Sequence, residues 1–191
     1  MNLILGSTSP FRRELLNKLG LDFDVAAPDI DESIHLGEQP EEFVQRLALE
    51  KARAVATRYN NALIIGSDQV ACIGKHILGK PGNRERALAQ LSAASGQRVS
   101  FYTGLCLLNS ASGGFQVTCE PFHVHFRDLT QEQIGRYLDS EQPYNCAGSF
   151  KSEGLGIALF ERLEGDDPNS LIGLPLIKLV AMLQQEGIYI P

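Results

Sequence analysis

Several things are missing from this 191-residue chain, and each absence removes a class of protein. No apolar run approaches the roughly 18 residues that a membrane span needs, so none is expected. The N-terminus lacks a charged stretch followed by a long apolar one, and a strand beginning at Leu3 leaves no room for a targeting segment. The expected location is the cytoplasm. Cysteine is sparse, and Cys72, Cys106, Cys119 and Cys146 never fall in a Cys-x-x-Cys spacing. That argues for reduced thiols rather than a zinc site or a disulfide framework. Positive charge is not in excess either: the formal net charge is −6, against the broad basic surface that duplex DNA demands. No aromatic-basic RNA-binding motif, internal repeat or low-complexity linker is present. A small phosphorylated ligand needs only a local cluster of cations and stays open.

What is there describes one globular domain, residues 1–191, of ordinary composition, with 43% hydrophobic and 21% charged residues. A domain of this size buries roughly 70% of its unfolded surface, enough for a proper core. A short strand at Leu3–Leu5 leads into a helix from Pro10 to Leu19, with Ser9 as cap, Pro10 at the favoured first position and Gly20 as the stop. A second helix spans Pro40 to Tyr59, with Val44, Leu47, Ala48, Ala52 and Val55 as its apolar stripe. Ala62–Gly66 reads as a fully apolar strand, and Ser67-Asp68 as an interruption before Gln69–Ile73. A third helix is expected over Asn83–Ser95, closed by Gly96. Val99–Asn109 and Phe115–Phe126 flank a Ser/Gly-rich hairpin loop. Thr130 with Gln133 forms a capping box, Leu129 with Ile134 a staple, and a last helix runs from Pro175 to Glu186. Strands and helices mix throughout, which gives an α/β or α+β fold around one curved mixed sheet.

Three local patterns carry chemistry. The first is Gly6–Arg13, where two arginines follow three hydroxyl residues at a helix start, although the macrodipole there favours negative charge. A strand–turn–helix start aims N–H groups and a positive dipole end outward, and Arg12 and Arg13 add forked donors that match phosphate oxygens. A capped surface helix with two solvated arginines is the plainer alternative. The segment is not a P-loop, because the Gly-Lys-Ser/Thr ending is missing.

The second is Lys51, which falls on the apolar face of its helix and either snorkels outward or reaches an anion. The third is Asp68, which emerges from a buried strand as a rigid carboxylate: a general base on water, a metal ligand, or a turn-forming Asp. Lys80 and Lys151 sit in Gly-rich segments that let the backbone approach a ligand. The acidic loop of Asp29, Asp31 and Glu32 could supply oxygens to Mg²⁺ or be solvated. His123 and His125 alternate on one strand face without a third ligand nearby, and read as structural.

Taken together, these segments resemble the Maf family of nucleoside triphosphate pyrophosphatases. The matching stretches are LILGSTSPFRRELL, Asp31-Glu32, Glu50–Ala52, IIGSDQV, Gly79–Pro81, FYTGL and AGSFKSEG, in one order along the chain. The resemblance implies an elongated two-lobed fold of Maf/Ham1 type with a deep central cleft, a homodimer, and no nucleic-acid or membrane partner. It implies cleavage between α- and β-phosphates with a divalent cation, Mg²⁺ or Mn²⁺, as cofactor. On this reading Ser7, Arg12, Arg13, Lys51, Lys80 and Lys151 meet the phosphates, and Asp68 accepts the proton of the attacking water. Glu32, with Asp68, holds the metal, and Lys80 joins Asp68 and Glu32 as catalytic.

Within the family, this chain resembles the branch acting on 7-methyl-GTP rather than the one acting on dTTP and UTP. It carries Phe11, Gln69 and Glu153 where the pyrimidine branch differs, with Phe11 standing where the methyl-GTP branch usually has Trp. A cationic methylated guanine can stack on the Phe11 face, and Glu153 can accept its N1–H and exocyclic amine. Two alternatives are carried beside this one: a dTTP/UTP pyrophosphatase, and a non-enzymatic nucleotide-binding regulator of cell division.

Overall fold

The computed structural model describes residues 1–190, and these form two compact units. Met1–Gln69, Tyr102–Glu120 and the segment from Asp167 onward make the first, and Val70–Phe101 with Pro121–Asp166 make the second. The strands are β1 (Asn2–Leu5), β2 (Asp24–Val25), β3 (Ala62–Ile73), β4 (His76–Leu78), β5 (Arg98–Asn109), β6 (Phe115–Phe126) and β7 (Phe160–Glu164). The helices are α1 (Pro10–Asn17), α2 (Pro40–Ala56), α3 (Arg84–Ala94), α4 (Gln131–Glu141), α5 (Pro168–Ile172) and α6 (Leu176–Gln185). The fold class is mixed α/β, with strand order β2-β1-β3-β5-β6-β7 and β4 paired onto β3.

In the first unit, β1 runs parallel to both β2 and β3. Because side chains alternate across a strand, each strand feeds two cores at once. Leu3, Leu5, Leu63, Ile65, Leu105 and Leu107 face Leu15 and Leu16 of α1 and Leu176, Leu179 and Leu183 of α6. Ile4, Ile64, Cys106 and Leu108 face the opposite way, against Ala48, Ala52 and Val55 of α2. Covering both faces requires apolar residues at every position, which is why Leu3–Leu5 and Ala62–Ile65 read as unbroken apolar runs.

The α2 contact is unusually close. A Cβ at Gly66 would lie 2.0 Å from the Ala48 carbonyl oxygen, and one at Gly104 would lie 2.0 Å from that of Val44. Only glycine lets the helix backbone rest on the strands there. The same helix face therefore delivers Lys51, one turn beyond Ala48, to the level of Asp68.

In the second unit, β4 folds back on the C-terminal part of β3, with Ala71 opposite Leu78 and Ile73 opposite His76. β7 pairs antiparallel with β6. Phe101, Phe126, Phe150 and Phe160 meet edge-to-face, with centroids 4.9–5.4 Å apart.

The expected elements are present, and β2, β4, β7 and α5, each too short to show a period of its own, are additional to them; two further differences concern the expected elements themselves. β3 is continuous through Ser67 and Asp68, because both side chains are hydrogen-bonded inward and the polar pair does not force a turn. Helix ends also differ: α1 closes at Asn17, α2 at Ala56, and α6 begins after Pro175, which serves as its cap. The Thr130 capping box forms as expected, with Gln133 N–H donating to Thr130 Oγ1 and Thr130 N–H donating to Gln133 Oε1.

Candidate active site

In the first unit the turn after β1 brings Ser7 under the start of α1. Ser7 is buried, and its Oγ accepts from the Ser9 N–H (3.2 Å) and from Arg12 Nη1 (3.4 Å). Those two bonds occupy its lone pairs and leave its own O–H as a donor. Ser9 caps the helix by accepting from Arg12 N–H, as its position at the apolar–helix junction predicts.

Arg12 points back into the protein. Its Nε donates to the Gly173 carbonyl at 2.8 Å, while the fork beyond Nε faces Ser7. Burial pulls the guanidinium below its ordinary pKa, and the opposing charges of Asp68 and Glu32 work against that shift. Arg13, about 100° further round the helix, is exposed. It lines a separate hollow of about 340 Å³ with Asn17, Asp22 and Asp24. The two arginines are adjacent in sequence and are not brought together. Phe11 is half-buried on the first turn of α1.

The electrostatic centre is Lys51. Only 5% exposed, its Nζ lies 2.6 Å from Asp68 Oδ1 and 2.7 Å from Glu32 Oε1. Of the two readings open for this lysine, the inward one holds: the apolar helix face carries it to buried carboxylate rather than to solvent. Asp68 is 9% exposed and engages Lys51 through Oδ1. Glu32 is more open and reaches the ammonium from the loop before α2.

Arg46 ties that loop down. It donates from Nε and Nη2 to the two oxygens of Glu38, from Nη1 to Glu50, and from Nη2 to the Ser33 carbonyl next to Glu32. The Arg46 hydrogen bond holds the Glu38 carboxyl down at about 2. Asp31 is spent locally, with its Oδ1 accepting from Ser33 N–H and Oγ.

Gln69 is anchored rather than open. Its amide nitrogen donates to Thr103 Oγ1 (3.0 Å) and to the Ser170 and Leu171 carbonyls (2.7 and 3.1 Å). Those protons are committed within the protein, and only its Oε1 is left to meet a ligand.

The second unit gathers the other residues singled out from sequence. Lys80 is exposed and follows Gly79, whose carbonyl accepts from Gln90 Nε2. Lys151 pairs with Glu141 Oε1 at 3.2 Å, and Glu153 is exposed beside Ser152. All three charges act on the Cys146 thiol: burial, the largest influence, pushes it up, with Lys151, Glu153 and Lys80 adding smaller shifts of either sign.

His123 bonds Ser100 and His125 bonds Glu164, in keeping with structural roles. Among the described residues no group of three or more His, Cys, Asp or Glu side chains is arranged to hold a metal. Sequence reasoning missed Arg46, Ser67, Thr103, Asp167 and the Gly173 carbonyl. Of these only Asp167 carried a local signal, as a cap residue directly before Pro168.

The fold is that of the HAM1 class of α/β proteins. It is similar to the structure of a HAM1 protein from Coxiella burnetii, with a TM-score of 0.54 at 16% identity, covering 97% of this chain and 99% of that one. The chain belongs to the family of Maf-like proteins, whose family model matches residues 2–186. It is 65% identical over 189 residues to the 7-methyl-GTP pyrophosphatase of Alcanivorax borkumensis, covering 99% of this chain and 96% of that protein. It is also 61% identical to the 7-methyl-GTP pyrophosphatase of Nitrosococcus oceani, covering 97% and 93%. No helix among the described residues is long and apolar enough to cross a membrane.

Proposed function

We propose that this chain hydrolyses 7-methyl-GTP to 7-methyl-GMP and diphosphate, as the names of its relatives suggest. The observation that carries the reading is the buried Asp68–Lys51 pair, joined from an exposed loop by Glu32, beside Arg12. A carboxylate held rigidly on a strand, with one oxygen fixed by an ammonium, keeps its other oxygen for water. Asp68 accepts a proton as that water forms a bond to the α-phosphorus. The bond from the α-phosphorus to the bridging oxygen breaks, and diphosphate leaves with the bonding pair. The free donors of Arg12, the Ser7 hydroxyl and the Lys51 ammonium meet the negative charge that builds on the phosphate oxygens.

Asp68 and Glu32 suit Mg²⁺ or Mn²⁺, being hard oxygen donors. Two protein carboxylates are the usual number when phosphate oxygens and water complete the shell. The cation, when bound, supplies further neutralisation of the phosphate oxygens. The two cations and two carboxylates of the cluster balance one another, so a dication would neutralise only part of an ionised triphosphate's charge and further cationic side chains would have to meet the rest.

For Arg13, Lys80 and Lys151 the proposal of phosphate contact rests on the motifs alone, as does base recognition by Phe11, Gln69 and Glu153. The anchored amide limits Gln69 to its oxygen or to shaping the strand. A homodimer in the cytoplasm completes the reading.

The test is a substrate panel with Mg²⁺, comparing 7-methyl-GTP, GTP, dTTP and UTP, on wild type and Asp68→Asn. Diphosphate release from 7-methyl-GTP that Asp68→Asn abolishes while nucleotide binding persists is the expected result. Preference for dTTP and UTP would move the chain to the pyrimidine branch. Binding without turnover of any nucleotide would favour the regulatory role.

A further inference from the structure

The segment from Asp167 to Ile177 holds no candidate site residue read from the sequence, yet its backbone carbonyls reach four side chains around the candidate site. Gly173 O accepts from Arg12 Nε (2.8 Å) and Ser67 Oγ (3.1 Å). Ser170 O accepts from Thr103 Oγ1 (2.9 Å) and Gln69 Nε2 (2.7 Å), and Leu171 O accepts again from Gln69. These carbonyls are free for this use because α5 is only five residues long and ends at Gly173, in a left-handed conformation at φ 129°.

What holds the carbonyls in place is one carboxylate. Asp167 is fully buried, and its oxygens are filled by donors of its own segment. Oδ1 accepts from Asn169 N–H and Asn169 Nδ2, both at 2.8 Å, and Oδ2 accepts from Ile177 N–H at 2.8 Å. The Asn169 carbonyl in turn accepts from Gly173 N–H (3.1 Å) and Leu174 N–H (3.2 Å). A short continuous path therefore runs from Asp167 through Asn169 and Gly173 to the Arg12 guanidinium.

We propose that Asp167 is a positioning residue for the hydrolysis: it fixes the carbonyl of Gly173, which pins Arg12 by Nε and aims the rest of its fork. This rests on the activity proposed above. A guanidinium is planar, so fixing Nε and touching Ser7 from Nη1 sets the plane, and the remaining N–H groups have one direction open to them. Donors preset in this way need no reorganisation when charge develops on a phosphate oxygen. The competing account is a helix cap and clip that stabilises α5 and α6 and does nothing for Arg12.

Asp167→Asn separates the two. It replaces one oxygen with an NH₂ group, so a donor faces either Ile177 N–H or the Asn169 donors. In the full-length, ¹⁵N-labelled protein, the Arg12 Nε–H resonance is assigned by its loss in Arg12→Lys. In Asp167→Asn its solvent exchange should rise about tenfold or more, while the Ile64 and Leu105 amides in the strand core keep their protection. kcat/KM on 7-methyl-GTP should fall about tenfold or more, and the same substitution should have little further effect in an Arg12→Lys background. Unchanged Arg12 Nε–H exchange, or an equal loss of kcat/KM in both backgrounds, overturns the proposal. If Asp167→Asn does not fold, Asp167→Ser is read the same way, since its hydroxyl can still cap Asn169 N–H but is too short to hold Ile177 N–H as well. Absence of turnover in the wild type would overturn the proposed activity alone, because the exchange measurement still decides the positioning.

Discussion

Replacing Lys51 by methionine tests the electrostatic centre of the first unit. Methionine keeps an unbranched stem of similar length in the apolar face of α2, so the loss is mainly of charge. In the wild type the ammonium sits 2.6 Å from Asp68 and 2.7 Å from Glu32, with Lys51 itself 5% exposed. Removing one member of a buried pair strands the other at about 3–5 kcal/mol. The Glu32 contact adds little, since its carboxylate is more than half exposed and water can replace the ammonium.

At roughly 2–4 °C per kcal/mol for a protein of this size, the melting temperature should fall by roughly 6–20 °C. The decisive variant is the double substitution Lys51→Met with Asp68→Asn. An uncharged amide has no stranded charge to desolvate, so most of the loss should be recovered, although catalysis is not. Calorimetry of wild type, both single variants and the double variant completes the cycle. If Lys51→Met melts with the wild type, or the double variant is no more stable than Lys51→Met, the buried pair does not carry this energy and the reasoning fails.

Further predictions concern three other places. Arg46→Ala frees the loop carrying Glu32 and should lower stability at neutral pH by about 1.5–3 kcal/mol, the scale of charge-assisted hydrogen bonds. Because Arg46 holds the Glu38 carboxyl down at about 2, the Glu38 share of this stabilisation is complete above the ordinary glutamate range near pH 4.5 and is lost as pH falls through about 2, while the bond to the Ser33 carbonyl does not titrate. Urea midpoints of the two proteins should therefore converge on acidification. Gly66→Ala places a Cβ 2.0 Å from the Ala48 carbonyl, which must push α2 off the strands. A loss of about 3 kcal/mol, visible as a lower urea midpoint, is expected. If Glu153 reads the base, Glu153→Gln should cost about 1.5–3 kcal/mol in kcat/KM for 7-methyl-GTP. An equal loss for every nucleoside triphosphate would assign Glu153 another role.

Much of this protein was legible along the chain because the relevant physics is local. Ser9 and Pro10 start α1, the Thr130–Gln133 box starts α4, and the unbroken apolar runs of β1 and β3 announce strands covered on both faces. The helical period alone put Lys51 on the buried side of α2. Strand propensity was less reliable: Ser67-Asp68 looked like a break and is part of β3, because distant partners satisfy both polar side chains.

Local sequence was enough for the longer helices and strands, the family motifs and the charged residues in unusual places; β2, β4, β7 and α5 are too short to carry a pattern of their own. Tertiary structure alone decided who answers those charges. Arg12 and Arg13 are equivalent on paper, yet a rotation of about 100° sends one to the Gly173 carbonyl and leaves the other exposed at the edge of a hollow that Asp22 and Asp24 also line. Lys51 pairs with Asp68 across 17 residues, and Arg12 with the Gly173 carbonyl across 161. Such contacts have no periodic signature. They arise because Gly66 and Gly104 let α2 lie on the strands, and because Asp167 closes a turn whose carbonyls then face inward.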